Sequence, residues 1–212
     1  FTISSTGNSS DFGDVSAGTL AQGTAGVCNG TRGINMGGYR APAKLNEISY
    51  VTVAQQGDTV DFGDLITARD SPRGANSQTR GIAFGGNTPS VTNHIEFITM
   101  STLGNAADFG DAGTANGNGG GCSNSIRGIF IAGSGFGPII EYITIATLGN
   151  AVDFGDNSFD GAGNLGGMAS PTRAVSAGGA NPSSSNIIHY VQIMSPGDAI
   201  DFGDLSATRN YP

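Results

Sequence analysis

The chain has no tryptophan, two cysteines and few charges, with nine Lys or Arg and 17 Asp or Glu making up 12% of its 212 residues. Each shortage excludes something. Cys28 and Cys122 are too few for a disulfide framework or a structural zinc site. They stand four and five residues before a repeated arginine, in what read as equivalent places of two repeats where the others carry Asn76 and Met168. Both are expected to pack as small, part-buried hydrophobes, a disulfide or redox role being the alternative. The net charge of −8 disfavours a phosphate backbone or an anionic membrane as partner, so no nucleic acid is expected. No run approaches the ~18 apolar residues of a membrane span, and no basic-then-apolar leader opens the chain. A soluble module without membrane insertion is expected. No apolar face recurs at helical spacing, so almost no helix is expected either.

Glycine is what the chain has in excess, with 36 residues and no Gly-X-Y period. Pro, Asn, Ser and Gly cluster between short Val/Ile/Tyr/Phe runs, the pattern of short strands joined by tight turns. Asp-Phe-Gly-Asp occurs five times, beginning at Asp11, Asp61, Asp108, Asp153 and Asp201, at spacings of 50, 47, 45 and 48. That self-similarity outranks every other signal. Nine residues before each motif stands Thr2, Thr52, Thr99, Thr144 or Gln192, inside a run such as Ile95-Glu96-Phe97-Ile98-Thr99-Met100. These runs read as one strand per repeat with both faces partly apolar, which suits a sheet stacked between two others. Phe1-Thr2-Ile3 is the truncated copy.

Upstream, each full repeat carries a second strand that starts at Arg32, Arg80, Arg127 or Arg173 and ends in a small-residue doublet, Gly37-Gly38, Gly85-Gly86, Ala132-Gly133 or Gly178-Gly179. A short segment before each arginine, such as Gly26-Val27-Cys28 or Gly166-Gly167-Met168, reads as a first strand joined to the second by a hairpin. Four short strands in about 47 residues cannot bury their own faces and must stack on copies of themselves. The architecture read from this is all-β, a propeller of four-stranded blades with four full repeats and a partial fifth; the alternative is a linear β-repeat array. One repeat domain spans 1–212, divided as a partial repeat at 1–14 and full repeats at 23–66, 72–112, 119–157 and 165–206. Because Phe1 falls inside a motif that recurs later in full, the chain is expected to be a piece of something longer.

The glycine doublet after a short hydrophobic strand, followed by an Ile-x-Tyr strand, is similar to kelch repeats. The fuller pattern, Thr-Arg-Gly-Ile, the doublet, Ile-Glu-Tyr-Ile-Thr-Ile, Thr-x-Gly-Asn and Asp-Phe-Gly-Asp-Leu, resembles kelch-like repeat proteins of tailed bacteriophages, especially those infecting aquatic cyanobacteria and other marine bacteria. The resemblance covers nearly the whole chain. It implies propeller blades and a virion or tail-associated structural protein, one that contacts the host surface through a glycan or receptor. The kelch repeat's usual tryptophan is missing throughout, and the phenylalanines of the repeated motif, Phe12, Phe62, Phe109, Phe154 and Phe202, are the candidates for its packing place.

Several motifs have a second reading. Asp-Phe-Gly also marks the magnesium loop of protein kinases, but five copies at repeat spacing without the companion kinase motifs exclude that chemistry. Asp58, Asp61 and Asp64, and likewise Asp198, Asp201 and Asp204, place three carboxylates within seven residues, as calcium ligands would stand. The favoured role for these residues, and for Asp11, Asp14, Asp108, Asp111, Asp153 and Asp156, is to cap backbone N–H groups in turns, with no metal. Arg32, Arg80, Arg127 and Arg173 are expected to pair with repeat aspartates; the alternative is a ring of arginines lining a channel or gripping an anionic sugar. His94 and His189 differ by one position in register and form no repeated site. Asn8 and Asn29 head acceptor patterns for N-glycosylation of the kind that arise by chance in a Ser/Asn-rich chain. No catalytic elbow or zinc helix appears. The most irregular loops, 113–121 and 159–167, are Gly/Asn-rich and poor in catalytic groups. The reading is a non-enzymatic structural and adhesion module, without cofactor, on a virion or in an extracellular assembly. Its partners are other chains of that assembly and a host-surface glycan or protein bound by blade loops. The alternative is a carbohydrate-binding lectin or carbohydrate-active enzyme on the same scaffold.

Overall fold

A computed structural model of the chain describes residues 6–15, 22–133, 137–157, 163–180 and 183–210. The expected strand Phe1-Thr2-Ile3 and residues 159–162 of the second irregular loop lie outside them. Among the described residues there is no helix, and the chain is all-β. Four antiparallel four-stranded sheets follow one another, each laid out in sequence order. The first is Ala25–Cys28, Arg32–Met36, Glu47–Thr52 and Val60–Asp64; the second is Arg73–Asn76, Arg80–Phe84, His94–Thr99 and Ala107–Asp111. The third is Gly120–Ser123, Arg127–Ile131, Ile139–Thr144 and Val152–Asp156; the fourth is Gly166–Ala169, Arg173–Ala177, Ser185–Gln192 and Ile200–Arg209. The hairpin expected between first and second strands is present in all four, with Cys28 opposite Gly33 and Ser123 opposite Gly128. Two small ribbons were not anticipated: Tyr39–Arg40 with Ala43–Lys44, and Asn87–Thr88 with Ser90–Val91, each just after a glycine doublet.

That register corrects the expected equivalence of the cysteines. Cys28 aligns with Asn76, Ser123 and Ala169, whereas Cys122 aligns with Val27, Ala75 and Met168. One residue of offset moves a side chain to the other face of a sheet. Cys122 is accordingly buried, its thiol pushed up to about 12 by desolvation, and Cys28 is exposed.

The sheets stack face on face. The first core cluster joins Val27, Ile34, Met36, Ile48 and Phe62 of the first repeat to Ala83, Ile98 and Met100 of the second. The next joins Ile82, Phe84, Ile95 and Phe109 to Phe130, Ile143 and Ile145, and the last joins Ile129, Ile140 and Phe154 to Ala174, Val191 and Ile193. The expectation of strands apolar on both faces is met in the two middle sheets, where neighbours lie on either side. Along one edge the first strands run beside one another so closely that a Cβ on Gly74 would fall 2.5 Å from the Gly26 carbonyl oxygen, and one on Gly167 would fall 2.7 Å from that of Gly121. Only glycine permits that approach.

The repeated phenylalanine is placed by a β-bulge. Gly63 pairs with Ile48 and Asp61 with Ser49, which leaves Phe62 without a partner; Phe109, Phe154 and Phe202 are skipped in the same way. A bulge re-aims the extra side chain. Here the phenylalanine points toward the following sheet, meeting the ring of the third strand edge-on: Phe62 with Tyr50 at 6.0 Å, Phe109 with Phe97 at 6.0 Å and Phe154 with Tyr142 at 5.8 Å. The burial expected of all five motif phenylalanines is met at these three, each 2% exposed, and not at Phe12, 40% exposed, or Phe202, 56% exposed, against which no described sheet packs.

Candidate functional site

The singled-out aspartates build the joints between repeats. The carbonyls of Phe12, Phe62, Phe109 and Phe154 accept the N–H groups of Gly57, Gly104, Gly149 and Gly197, and those of Asp14, Asp64, Asp111 and Asp156 accept the N–H groups of Thr59, Ala106, Ala151 and Ala199. The N–H of the same four aspartates donates across the joint to a side-chain oxygen of Asp58, Asn105, Asn150 or Asp198, at 2.9 to 3.0 Å. Asn serves there as well as Asp, so the position needs an acceptor and not a charge. Asp58 and Asp198 therefore spend an oxygen on a turn, and among the described residues no group of three or more His, Cys, Asp or Glu is placed to hold a metal. The expectation that an aspartate of each motif would itself accept backbone N–H groups holds at Asp11 and Asp201, which take those of Gly13 and Gly203. At the internal joints the second aspartate is instead the donor, because the acceptor comes from the next repeat.

The arginines differ from expectation. Among the described residues none of Arg32, Arg80, Arg127 and Arg173 forms a salt bridge with a repeat aspartate. Each guanidinium lies over an aromatic ring of its own sheet: Tyr50 at 4.7 Å, Phe97 at 4.8 Å, Tyr142 at 4.3 Å and Tyr190 at 4.7 Å. Three of them also donate to a carbonyl of the following repeat, Arg32 to Met100, Arg80 to Ile145 and Arg127 to Ile193, at 2.7 to 2.9 Å. The physical reason is geometric. The second strand places the arginine opposite Thr52, Thr99, Thr144 or Gln192 of the third, on the face where the ring stands, whereas the aspartates sit on the outermost strand. Cation–π attraction and a charge-assisted hydrogen bond hold the guanidinium there.

The buried ion pair lies elsewhere. Arg69 and Glu96 are fully buried and in contact; the guanidinium also donates to the carbonyls of Gly85 and His94, and the Glu96 carboxylate accepts the Ile66 N–H at 2.8 Å. Desolvation lowers the Arg69 pKa to about 10. Sequence reasoning missed this pair, although an acid in the middle of a β-branched strand was a visible signal. At the places equivalent to Glu96 stand Ser49, Glu141 and His189, all buried. Burial pushes the Glu141 carboxyl above its usual range and the His189 imidazole below its own.

Two of the concavities among the described residues gather polar groups from more than one element. The first, about 550 Å³, is lined by Gln22, Gly23, Tyr39, Asp70, Ser71, Arg73, Asn118 and Asn164. Gly23, Ser71, Asn118 and Asn164 are the same turn position in four repeats, all left-handed with φ of 63°, 53°, 62° and 60°, and the last three are the only non-glycine residues with positive φ among the described ones. A conformation that L residues rarely adopt, kept in three repeats, marks a position worth a functional hypothesis. The turns bond to one another, Ser71 N–H to the Gly23 carbonyl and Asn164 N–H to the Asn118 carbonyl, so one cavity meets every full repeat. The Oδ1 of Asn164 is buried there without a hydrogen-bond partner among the described residues. No sequence signal pointed to these turns, whose neighbours differ in every repeat. The second concavity, about 320 Å³, is lined by Ile66, Thr67, His94, Glu96, Asp108 and Asp111, with His94 Nδ1 3.2 Å from Asp111 Oδ1 and both side chains about half exposed.

No protein-family model matches the chain, and no curated protein matches it.

Proposed function

We propose that the chain is a non-enzymatic adhesion module whose sheets are blades of a kelch-like propeller, carried on a virion or another extracellular assembly, and that it holds a host-surface carbohydrate in the cavity met by all four repeats. The observation that carries this reading is the lining of that cavity. Sugar hydroxyls donate and accept at once and are matched by the amides of Gln22, Asn118 and Asn164 and the guanidinium of Arg73, while the apolar C–H face of a sugar ring stacks on an aromatic ring such as Tyr39. The buried Asn164 Oδ1 has no hydrogen-bond donor among the described residues, so a small side-chain rotation offers an acceptor to a bound hydroxyl. The resemblance to phage repeat proteins supports the virion and the neighbouring chains of an assembly as the setting. Binding of the 212-residue chain to a panel of immobilised bacterial-surface glycans tests it. At least one glycan should be retained, and Tyr39→Ala and Arg73→Ala should each weaken it about tenfold or more, about 1.4 kcal/mol. A panel without binders, or binding indifferent to both variants, would remove the reading.

A carbohydrate-active enzyme is the second reading, favoured by the His94 concavity, where one repeat departs from the others. Glycoside hydrolysis needs two free carboxylates flanking the bond. Glu96 is engaged by Arg69 and the Ile66 N–H, which leaves Asp108 and, once its contact with His94 is released, Asp111. Hydrolysis of a bound glycan that Asp108→Asn abolishes would favour this reading over simple adhesion.

A further inference from the structure

Asparagine followed by glycine is the step at which a chain most readily attacks itself, because a residue without a side chain leaves its amide nitrogen unhindered and its backbone free to turn. The chain contains three such steps, Asn29-Gly30, Asn116-Gly117 and Asn118-Gly119. Two of them are held. The Asn29 Oδ1 accepts the Thr31 and Arg32 N–H groups at 2.9 Å, and its Nδ2 donates to the Gln78 carbonyl of the next repeat at 3.1 Å. Asn116 is buried, with its Oδ1 accepting the Gly133 N–H at 3.0 Å and its own N–H and carbonyl bonded to Thr92 and Gly86. Asn118 is held far less. It is exposed, its side chain makes no hydrogen bond among the described residues, and its φ of 62° is one that L residues rarely adopt, so leaving that conformation costs little. The attacking group is free as well: among the described residues the Gly119 N–H donates to no main-chain carbonyl.

We propose that Asn118-Gly119 is a self-modifying site, at which the folded protein converts asparagine to aspartate and isoaspartate on the lining of the cavity. The Gly119 nitrogen gives up its proton and bonds to the side-chain carbonyl carbon of Asn118; the bond from that carbon to Nδ2 breaks, and the nitrogen leaves with the proton as ammonia. Water then opens the five-membered imide. Breaking its bond to the side-chain carbon gives aspartate. Breaking its bond to the main-chain carbon gives isoaspartate, in which the chain runs through the side chain and the former main-chain carbonyl becomes a free carboxylate. Either product sets a new negative charge among Gln22, Asp70, Arg73 and Asn164. Isoaspartate also lengthens the turn whose carbonyl accepts the Asn164 N–H, a bond that ties the third repeat to the fourth. The modification does not depend on the carbohydrate reading, but it changes the charge that any ligand of the cavity meets as the protein ages.

Incubation of the chain at mildly alkaline pH, folded and in concentrated urea, followed by peptide mass spectrometry over days, tests this. In urea the three steps should convert at comparable rates, because they are the same chemistry. Folding should slow conversion about tenfold or more at Asn29 and Asn116, and less than that at Asn118. The product at position 118 should include isoaspartate, seen by enzymatic methylation of its free α-carboxylate. Asn118→Ser puts at this turn the residue that Ser71 already supplies in the second repeat, and should abolish conversion there while the chain stays folded by circular dichroism. Asn118 as strongly protected by folding as the other two, all three converting equally fast in the folded protein, or an acid product without isoaspartate would each overturn the proposal.

Discussion

The joint between the first and second sheets and the joint between the second and third share one backbone frame and fill it in opposite ways. In the first, Arg69 and Glu96 form a buried pair, and Ala83 leaves the room they need. In the second, Asn116 stands where Arg69 would and Phe130 where Ala83 would. The carbonyls of Arg69 and Asn116 do the same work, accepting the N–H groups of Gly38 and Gly86. The side chains diverge: Asn116 Oδ1 accepts the Gly133 N–H, Phe130 stacks on Phe84 at 3.8 Å and 10°, and Glu141 accepts the Gly113 N–H at 2.7 Å without an arginine beside it. A repeat thus keeps its frame through main-chain bonds and short motifs, and is free to exchange an ion pair for an aromatic stack in the space between.

The largest difference should come from the ion pair. Arg69→Met leaves Glu96 buried and uncompensated, which costs about 4 kcal/mol. Adding Glu96→Gln, which keeps an acceptor for the Ile66 N–H, should restore much of that. Denaturant unfolding of the two variants measures it, and a single variant as stable as the parent would show that the pair does not hold the joint. At the second joint, Phe130→Ala removes one ring of the stack and should cost about 3 kcal/mol. The Phe84 side chain would lose its partner, so an unchanged unfolding midpoint would contradict the packing described.

A smaller effect separates the arginines. Arg127→Met removes the bond to the Ile193 carbonyl and the contact with Tyr142, for roughly 2 kcal/mol. Arg173→Met removes an exposed contact with Tyr190 alone, and should cost about 0.5 kcal/mol. Equal losses in thermal unfolding would mean that the carbonyl of the following repeat contributes nothing.

The repeat, the strands around Ile48, Ile95, Ile140 and Ile188 and the burial of Phe62, Phe109 and Phe154 were legible because each rests on a local pattern recurring at a fixed interval. The partners of the arginines were not. A side chain that reaches a main-chain carbonyl 65 to 68 residues away leaves no mark in the sequence of its acceptor, Met100 in one repeat and Ile145 or Ile193 in the others. The bulge at Phe62 was hidden for a related reason: it depends on how two strands are aligned, not on what either contains. The cysteines failed by one residue, which alternation turns into opposite faces. The cavity at Gly23, Ser71, Asn118 and Asn164 could not be read at all, since a shared backbone conformation unites residues with no shared chemistry.

The finest test of the two joints is pH. Burial is the largest cause raising the Glu141 pKa above 4.5, and Asp153 adds to it, while the N–H groups of Gly113 and Thr114 act against it. The folded protein therefore binds the Glu141 proton more tightly than the unfolded chain does. Its contribution to stability is fully present below the unfolded pKa and is lost as pH rises through the folded one. His189 runs the other way: desolvation lowers its pKa from 6.5, so stability falls as pH drops below that value. Glu141→Gln retains the acceptor for the Gly113 N–H and removes the charge. Relative to the parent it should gain stability as pH rises from about 4.5 toward 7, by about 1 kcal/mol at most. The His189 contribution, common to both proteins, cancels in the difference. Unfolding free energies of the pair across that range decide the matter: a gap that does not change with pH would mean that Glu141 stays charged in the fold and that the second joint tolerates the charge without a partner.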